Sequence, residues 1–155
     1  IGSHGLAGEF GHISVDYNGE PCSCGSRGCL EGLVSVKAII ERIRREKGKD
    51  SLSLAECIKL LNKGDEKALA ILRETARILS YAINSVINLF DPELVVINGE
   101  IKEFGEYLIE PLKEFLQKKN LRKRQIVVEL SQMKGNSVTF GGAHFAFRNY
   151  FNKEN

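Results

Sequence analysis

The chain has 155 residues, with 22 Lys and Arg against 20 Asp and Glu, a formal net charge of +2. That length suffices for one domain with a real core, and an apolar fraction of 43% is ordinary for such a domain. Near-balanced charge leaves no nucleic-acid footprint, and no apolar run is long enough to span a bilayer, so a membrane protein is not expected.

The chain opens on a glycine-rich lead, Ile1-Gly-Ser-His-Gly-Leu-Ala-Gly8, with no start methionine or secretory leader, and reads like the middle of a longer protein. His12 to Asp16 is predicted as a short strand, closed by the turn residues Asn18-Gly19. The loop that follows is the densest in chemistry. It carries Cys22, Cys24 and Cys29, three of the four cysteines. Three thiolates and one imidazole complete a tetrahedral zinc shell. Gly25 and Gly28 can take positive φ, which a short loop needs to aim successive thiolates at one point, and Pro21 stiffens the entry. By spacing the fourth ligand is His12, with His4 as the alternative. Two blander readings compete. A disulfide cluster needs an oxidising compartment and leaves an odd thiol, while free buried cysteines fit poorly with the polar run Ser26-Arg27-Gly28. A thiolate site points to a reducing space such as a bacterial or archaeal cytoplasm.

From Ser35 to about Lys47, Val36, Ile39, Ile40 and Ile43 share one helical face, and Arg42, Arg44, Arg45 and Lys47 lie opposite as a solvated face. Ser53-Leu-Ala-Glu56 fits a capping box that opens a short helix ending near Asn62-Lys-Gly64. Cys57 stands on its apolar pattern and reads as a small core residue. Asp65 to Phe90 is the strongest helix. Leu69, Leu72, Ala76, Leu79, Ile83, Val86 and Phe90 form one row, and Ala68, Ile71, Ile78, Ala82 and Ile87 widen it. A stripe that broad marks a central core helix or an oligomer seam. Asp91-Pro92 ends it.

Glu93-Leu-Val-Val-Ile97 reads as a buried strand ending at Asn98-Gly99. A helix from Phe104 to about Lys118 presents Tyr107, Leu108, Pro111, Leu112, Phe115 and Leu116, with a bend expected at Pro111. Gln125 to Leu130 is a second apolar strand, and Phe140 to Phe151 closes the chain as a glycine-led apolar helix. Strands alternating with helices give an α/β fold class, without an internal repeat.

Two runs carry a family resemblance. Gly8-Glu9-Phe10-Gly11-His12 and Cys22-Ser-Cys24-Gly25-Ser-Arg-Gly28-Cys29-Leu-Glu31 closely resemble the signature of the ROK family of repressors, open reading frames and sugar kinases. The segment Asp91 to Glu100 and the Gly141-Gly142-Ala143 tail are similar too, so the resemblance runs the whole chain. It implies the C-terminal lobe of an actin-like, ribonuclease-H-like sugar-kinase fold with a zinc-binding loop. It implies structural zinc on His12, Cys22, Cys24 and Cys29, and Glu9, His12 and Glu31 facing the hydroxyls of a small sugar ligand. The chemistry suits that task. Ionised carboxylates accept strong hydrogen bonds from hydroxyls, and an imidazole that holds a metal through one nitrogen can offer the other. The resemblance also implies a homo-oligomer formed through this lobe.

The chain departs from the family's kinases in several respects. The Asp-x-Gly-Gly-Thr phosphate loop and the catalytic Asp of the other lobe do not occur here, nor does the second glycine-rich phosphate loop with its hairpin, which belongs just before Ile1. The chain is therefore expected to be a single C-terminal lobe, 1–155, lacking the phosphate-loop lobe and any DNA-binding domain, and to transfer no phosphoryl group alone. The missing hairpin is expected to bare a sheet edge, favouring a dimer, a swapped assembly or a disordered N-terminus. Many family kinases carry a Gly-Gly pair after the strand that corresponds to Glu93–Ile97. Asn98-Gly99-Glu100-Ile101 is closer to the repressor branch, as is Ser14-Val-Asp-Tyr-Asn-Gly19, and a carboxylate there repels nucleotide phosphate. The leading expectation is thus the sugar-sensing and oligomerisation lobe of a transcriptional regulator that touches DNA only through a domain outside this chain. The alternative is the C-terminal lobe of an ATP-dependent sugar kinase, with ATP-Mg as cofactor only in that case. A small zinc-stabilised domain without sugar function is the third.

Overall fold

The computed structural model describes residues 3–119, 127–133 and 137–151. Its elements are α1 (Glu31–Val34), α2 (Val36–Glu46), α3 (Leu54–Asn62), α4 (Glu66–Phe90), β1 (Leu94–Ile97), α5 (Glu106–Lys119), β2 (Val127–Leu130) and α6 (Ser137–Phe151). Single 3-10 turns cover Phe10–His12 and Glu100–Phe104.

Local chemistry sets the helix ends. The Asp65 carboxylate accepts the Ala68 N–H at 3.1 Å and starts α4. Asp91 closes it in a left-handed conformation, φ 45°, with its N–H donating to Ile87 O at 2.8 Å. The capping box at α3 forms in full. Ser53 Oγ accepts the Glu56 N–H, and the Glu56 carboxylate accepts the Ser53 N–H at 2.8 Å.

The core runs along α4. Ile71, Leu72, Ala76, Leu79 and Ile83 of α4 share one buried cluster with Leu108, Leu112 and Leu116 of α5 and Phe104 of the preceding 3-10 turn. Each buried Leu, Ile or Phe among them contributes roughly 1.5–3 kcal/mol by leaving water. The broad stripe is therefore core. Its last member, Phe90, is 75% exposed, because the helix runs past the elements that cover it. Helix α2 crosses α4 with Ile39 and Ile43 inward. Its basic face is cross-linked rather than freely solvated. Arg44 and Arg45 pair with Glu41, Lys47 pairs with Asp65, and Arg42 reaches Thr75 Oγ1 at 3.4 Å. Cys57 lies fully buried in the same core.

Strand β1 pairs with β2 in parallel, Val95 opposite Val128, and α5 is the crossover between them. Among the described residues these two strands form the whole sheet. The expected buried strand is only half covered. Val95 and Ile97 pack against the core, whereas Leu94 and Val96 are exposed, so among the described residues only one face of the strand is covered. A second correction concerns residues 12–16. His12 ends a 3-10 turn, and the segment makes one isolated antiparallel bridge, Ser14 with Cys29, in place of a regular strand. Helix α5 continues through Pro111, and α6 starts at Ser137 instead of Phe140. The predicted strand residues Gln125 and Ile126 lie outside the described residues.

Candidate metal centre

The cysteine loop is built by backbone bonding before any side chain is considered. Leu30 N–H donates to Ile13 O at 2.9 Å, Val15 N–H to Gly28 O at 2.9 Å, and Gly28 N–H to Glu20 O at 2.8 Å. These bonds clamp residues 13–16 against 27–30. Gly28, φ +59°, is sterically fixed as glycine, since a Cβ there would lie 1.6 Å from Asp16 O. At the tip, Cys22 N–H donates to Ser26 O and Gly25 N–H to Cys22 O, a tight turn that Gly25 closes at φ +89°. On the other side the 3-10 turn, with His12 N–H donating to Glu9 O at 3.0 Å, swings the imidazole toward the sulfurs.

As a result one donor atom each from His12, Cys22, Cys24 and Cys29 lies within 4.8 Å of all the others. Cys22 Sγ is 3.7 Å from His12 Nδ1, and Cys24 Sγ is 3.6 Å from Cys29 Sγ. A tetrahedral zinc shell with metal–sulfur bonds of about 2.3 Å has sulfur–sulfur edges of about 3.8 Å, so the spacing fits a shared cation. A disulfide requires about 2.05 Å, and all the cysteines are free. His12, and not His4, stands with the three sulfurs; Cys57 lies apart in the core.

Electrostatics point the same way. The backbone N–H of Cys24, with the neighbouring thiols, holds the Cys22 thiol down to about 6. Burial pushes the Cys29 thiol up to about 12, and its sulfur neighbours add to that. Sulfurs this close cannot all ionise unaided, and a divalent cation removes the conflict.

The acidic residues flank this cluster. Glu31, first residue of α1, puts Oε2 3.8 Å from His12 Nδ1, too far for a hydrogen bond. Its stem lies against Gly11, where a Cβ would meet Glu31 Cβ at 3.4 Å. Glu9 lines an apolar cleft of about 640 Å³, and Glu31 a neighbouring one of about 460 Å³. Phe10, Asn98 and Ile101 line both, so the two carboxylates flank one surface without meeting. Asn98 was not among the sequence-derived site residues. Its position at the carboxyl end of a parallel strand, where α/β folds bind ligands, was the available signal.

The ROK family profile matches residues 1–148. This chain belongs to the ROK family. It is 36% identical over 130 residues to the DNA-binding transcriptional dual regulator NagC of Escherichia coli K12, covering 79% of this chain and 32% of NagC. It is also 36% identical over 126 residues to the glucokinase of Thermotoga maritima, covering 73% of this chain and 40% of that enzyme. In structure it resembles the ROK family glucokinase from Streptomyces griseus, crystallised with glucose and AMPPNP. The TM-score is 0.79 at 25% identity, over 91% of this chain and 51% of that one. The ROK fold is thus common ground for regulators and kinases, and this chain spans about half or less of the length of these relatives.

Proposed function

We propose that this chain is the sugar-sensing, zinc-containing and oligomerisation lobe of a cytoplasmic ROK-family transcriptional regulator. The observation that carries the reading is the position of His12, whose Nδ1 lies between Cys22 Sγ and Glu31 Oε2. His12, Cys22, Cys24 and Cys29 would hold zinc, which would supply a fixed anchor and a fixed tautomer for the imidazole. Glu31 and Glu9 accept hydrogen bonds from sugar hydroxyls, and the second ring nitrogen of His12 donates one. Two acceptors and one donor on a semi-rigid loop read the orientation of neighbouring hydroxyls.

The end of β1 favours a regulator. Gly99, φ +87°, leads into a 3-10 turn whose first residues include Glu100 and Glu103. Carboxylates at the strand end repel the phosphates of a nucleotide. DNA contact would come from a domain outside this chain.

The test is elemental analysis followed by titration with xylose, N-acetylglucosamine and glucose. Stoichiometric zinc and saturable binding of one sugar are expected. Glu31→Gln should weaken that binding about tenfold or more, the effect of losing a charge-assisted hydrogen bond. Absence of metal, with thiols freely reactive toward a colorimetric probe, overturns the reading.

A second reading, the C-terminal lobe of an ATP-dependent sugar kinase, is supported by the likeness to the two glucokinases. It would bring ATP-Mg as cofactor. Retention of AMPPNP by this chain, or sugar phosphate formed once a phosphate-loop lobe is supplied, favours it.

A further inference from the structure

The metal loop has an uneven exposure that coordination does not require. Cys24 is exposed at the tip, Cys22 is half-buried, and Cys29 is buried. The exposed and buried sulfurs are 3.6 Å apart. Their backbones are held differently. Cys29 is pinned by the bridge to Ser14 and by the Leu30-to-Ile13 hydrogen bond, whereas Cys24 sits in a turn next to Gly25. Cys24 can therefore move the short distance that bonding requires, and Cys29 need not.

We infer that Cys24 and Cys29 form a peroxide-sensitive pair whose closure to a disulfide ejects the metal and disables the sugar-facing loop. The inference rests on the zinc reading above. A hydroperoxide reaches the exposed sulfur first. The Cys24 thiolate attacks the peroxide oxygen, giving the sulfenic acid Cys24–SOH and releasing hydroxide. The Cys29 thiolate then attacks the Cys24 sulfur, forming the S–S bond and expelling a second hydroxide. The two sulfurs lose two electrons, and the peroxide gains them. Buried Cys29 acts as the resolving thiol because its sulfur lies 3.6 Å from that of Cys24 and solvent hardly reaches it.

The consequences follow from donor counting. A disulfide leaves only Cys22 and His12 as ligands, half of a four-coordinate shell. His12 then loses its anchor. Glu31, two residues after Cys29 and 3.8 Å from that imidazole, loses its fixed neighbour. The same loop that recognises a sugar would thus report oxidant.

The experiment treats the zinc-loaded chain with hydrogen peroxide in about tenfold excess. A chromogenic chelator follows zinc, and peptide mapping follows cysteine connectivity. The expected result is release of one zinc per chain, loss of two hydrogens from a linked Cys24–Cys29 peptide, and recovery with dithiothreitol plus zinc. Cys57→Ala, which lies in the core, should respond identically. A zinc-loaded chain that gives no Cys24–Cys29 linkage, or gives only sulfinic acid, overturns the inference and leaves the zinc reading standing. A chain purified without metal that still forms the linkage overturns the zinc reading and leaves the thiol pair standing.

Discussion

Between Glu20 and Cys29 only Gly28 and Cys29 are buried, whereas along α4 a buried side chain recurs every turn. The loop is held by backbone hydrogen bonds, one obligatory glycine and a convergent set of donors. The helix pair is held by apolar area. Structure of the first kind is sensitive to a single atom and of little consequence elsewhere. Structure of the second kind is tolerant locally, because each residue contributes a share of one common core.

The sharpest break in that comparison is Gly28→Ala. Its Cβ would overlap Asp16 O, which is backbone and cannot swing aside. Bound zinc is expected to be lost, while far-ultraviolet circular dichroism keeps its helical signal. Full unfolding would instead make loop and core one cooperative unit. Next in size is Leu72→Ala, at 0% exposure in the centre of α4. It should cost about 2–5 kcal/mol in urea denaturation and leave zinc stoichiometry unchanged. Ser53→Ala removes one half of the capping box on α3 and should cost about 1 kcal/mol. The smallest effect is electrostatic. Arg44, and then Arg45, hold the Glu41 carboxyl down to about 2. A depressed carboxylate stabilises the fold above its ordinary range, and that contribution fades as pH falls toward 2. Glu41→Gln should therefore lower stability slightly at neutrality and flatten the curve between pH 4.5 and 2, the two proteins converging as pH approaches 2.

What was legible in the sequence followed the range of the interactions. The α3 capping box needs only Ser53 and Glu56, and it was readable outright. The stripe on α4 was readable because burial imposes its period on many residues at once. The cysteine spacing announced convergence, since a short loop with three thiolates has few ways to fold. Residues 12–16 were misread because Ile13 and Val15 alternate as a strand does. The clamp from Gly28 and Ile13 instead draws the segment into a single bridge. The exposure of Leu94 and Val96 was hidden for a related reason. An apolar run states that a strand suits burial on both faces, and what covers each face is decided by other elements. Glu9 and Glu31 entered as candidates through the family resemblance, since carboxylates near a loop look like ordinary surface charge.

Helix α6 carries a practical consequence. Phe140, Phe145, Phe147, Tyr150 and Phe151 are 60–78% exposed, and Phe147 and Phe151 meet at a 41° tilt with centroids 4.3 Å apart. Such a surface makes the chain a sticky colloid. Its second virial coefficient should be negative in moderate ammonium sulfate, and its solubility should fall steeply as that salt is raised. Glutamate at Phe145 and Phe147 should restore a clear, concentrated stock, which makes that pair the first edit for anyone preparing crystals.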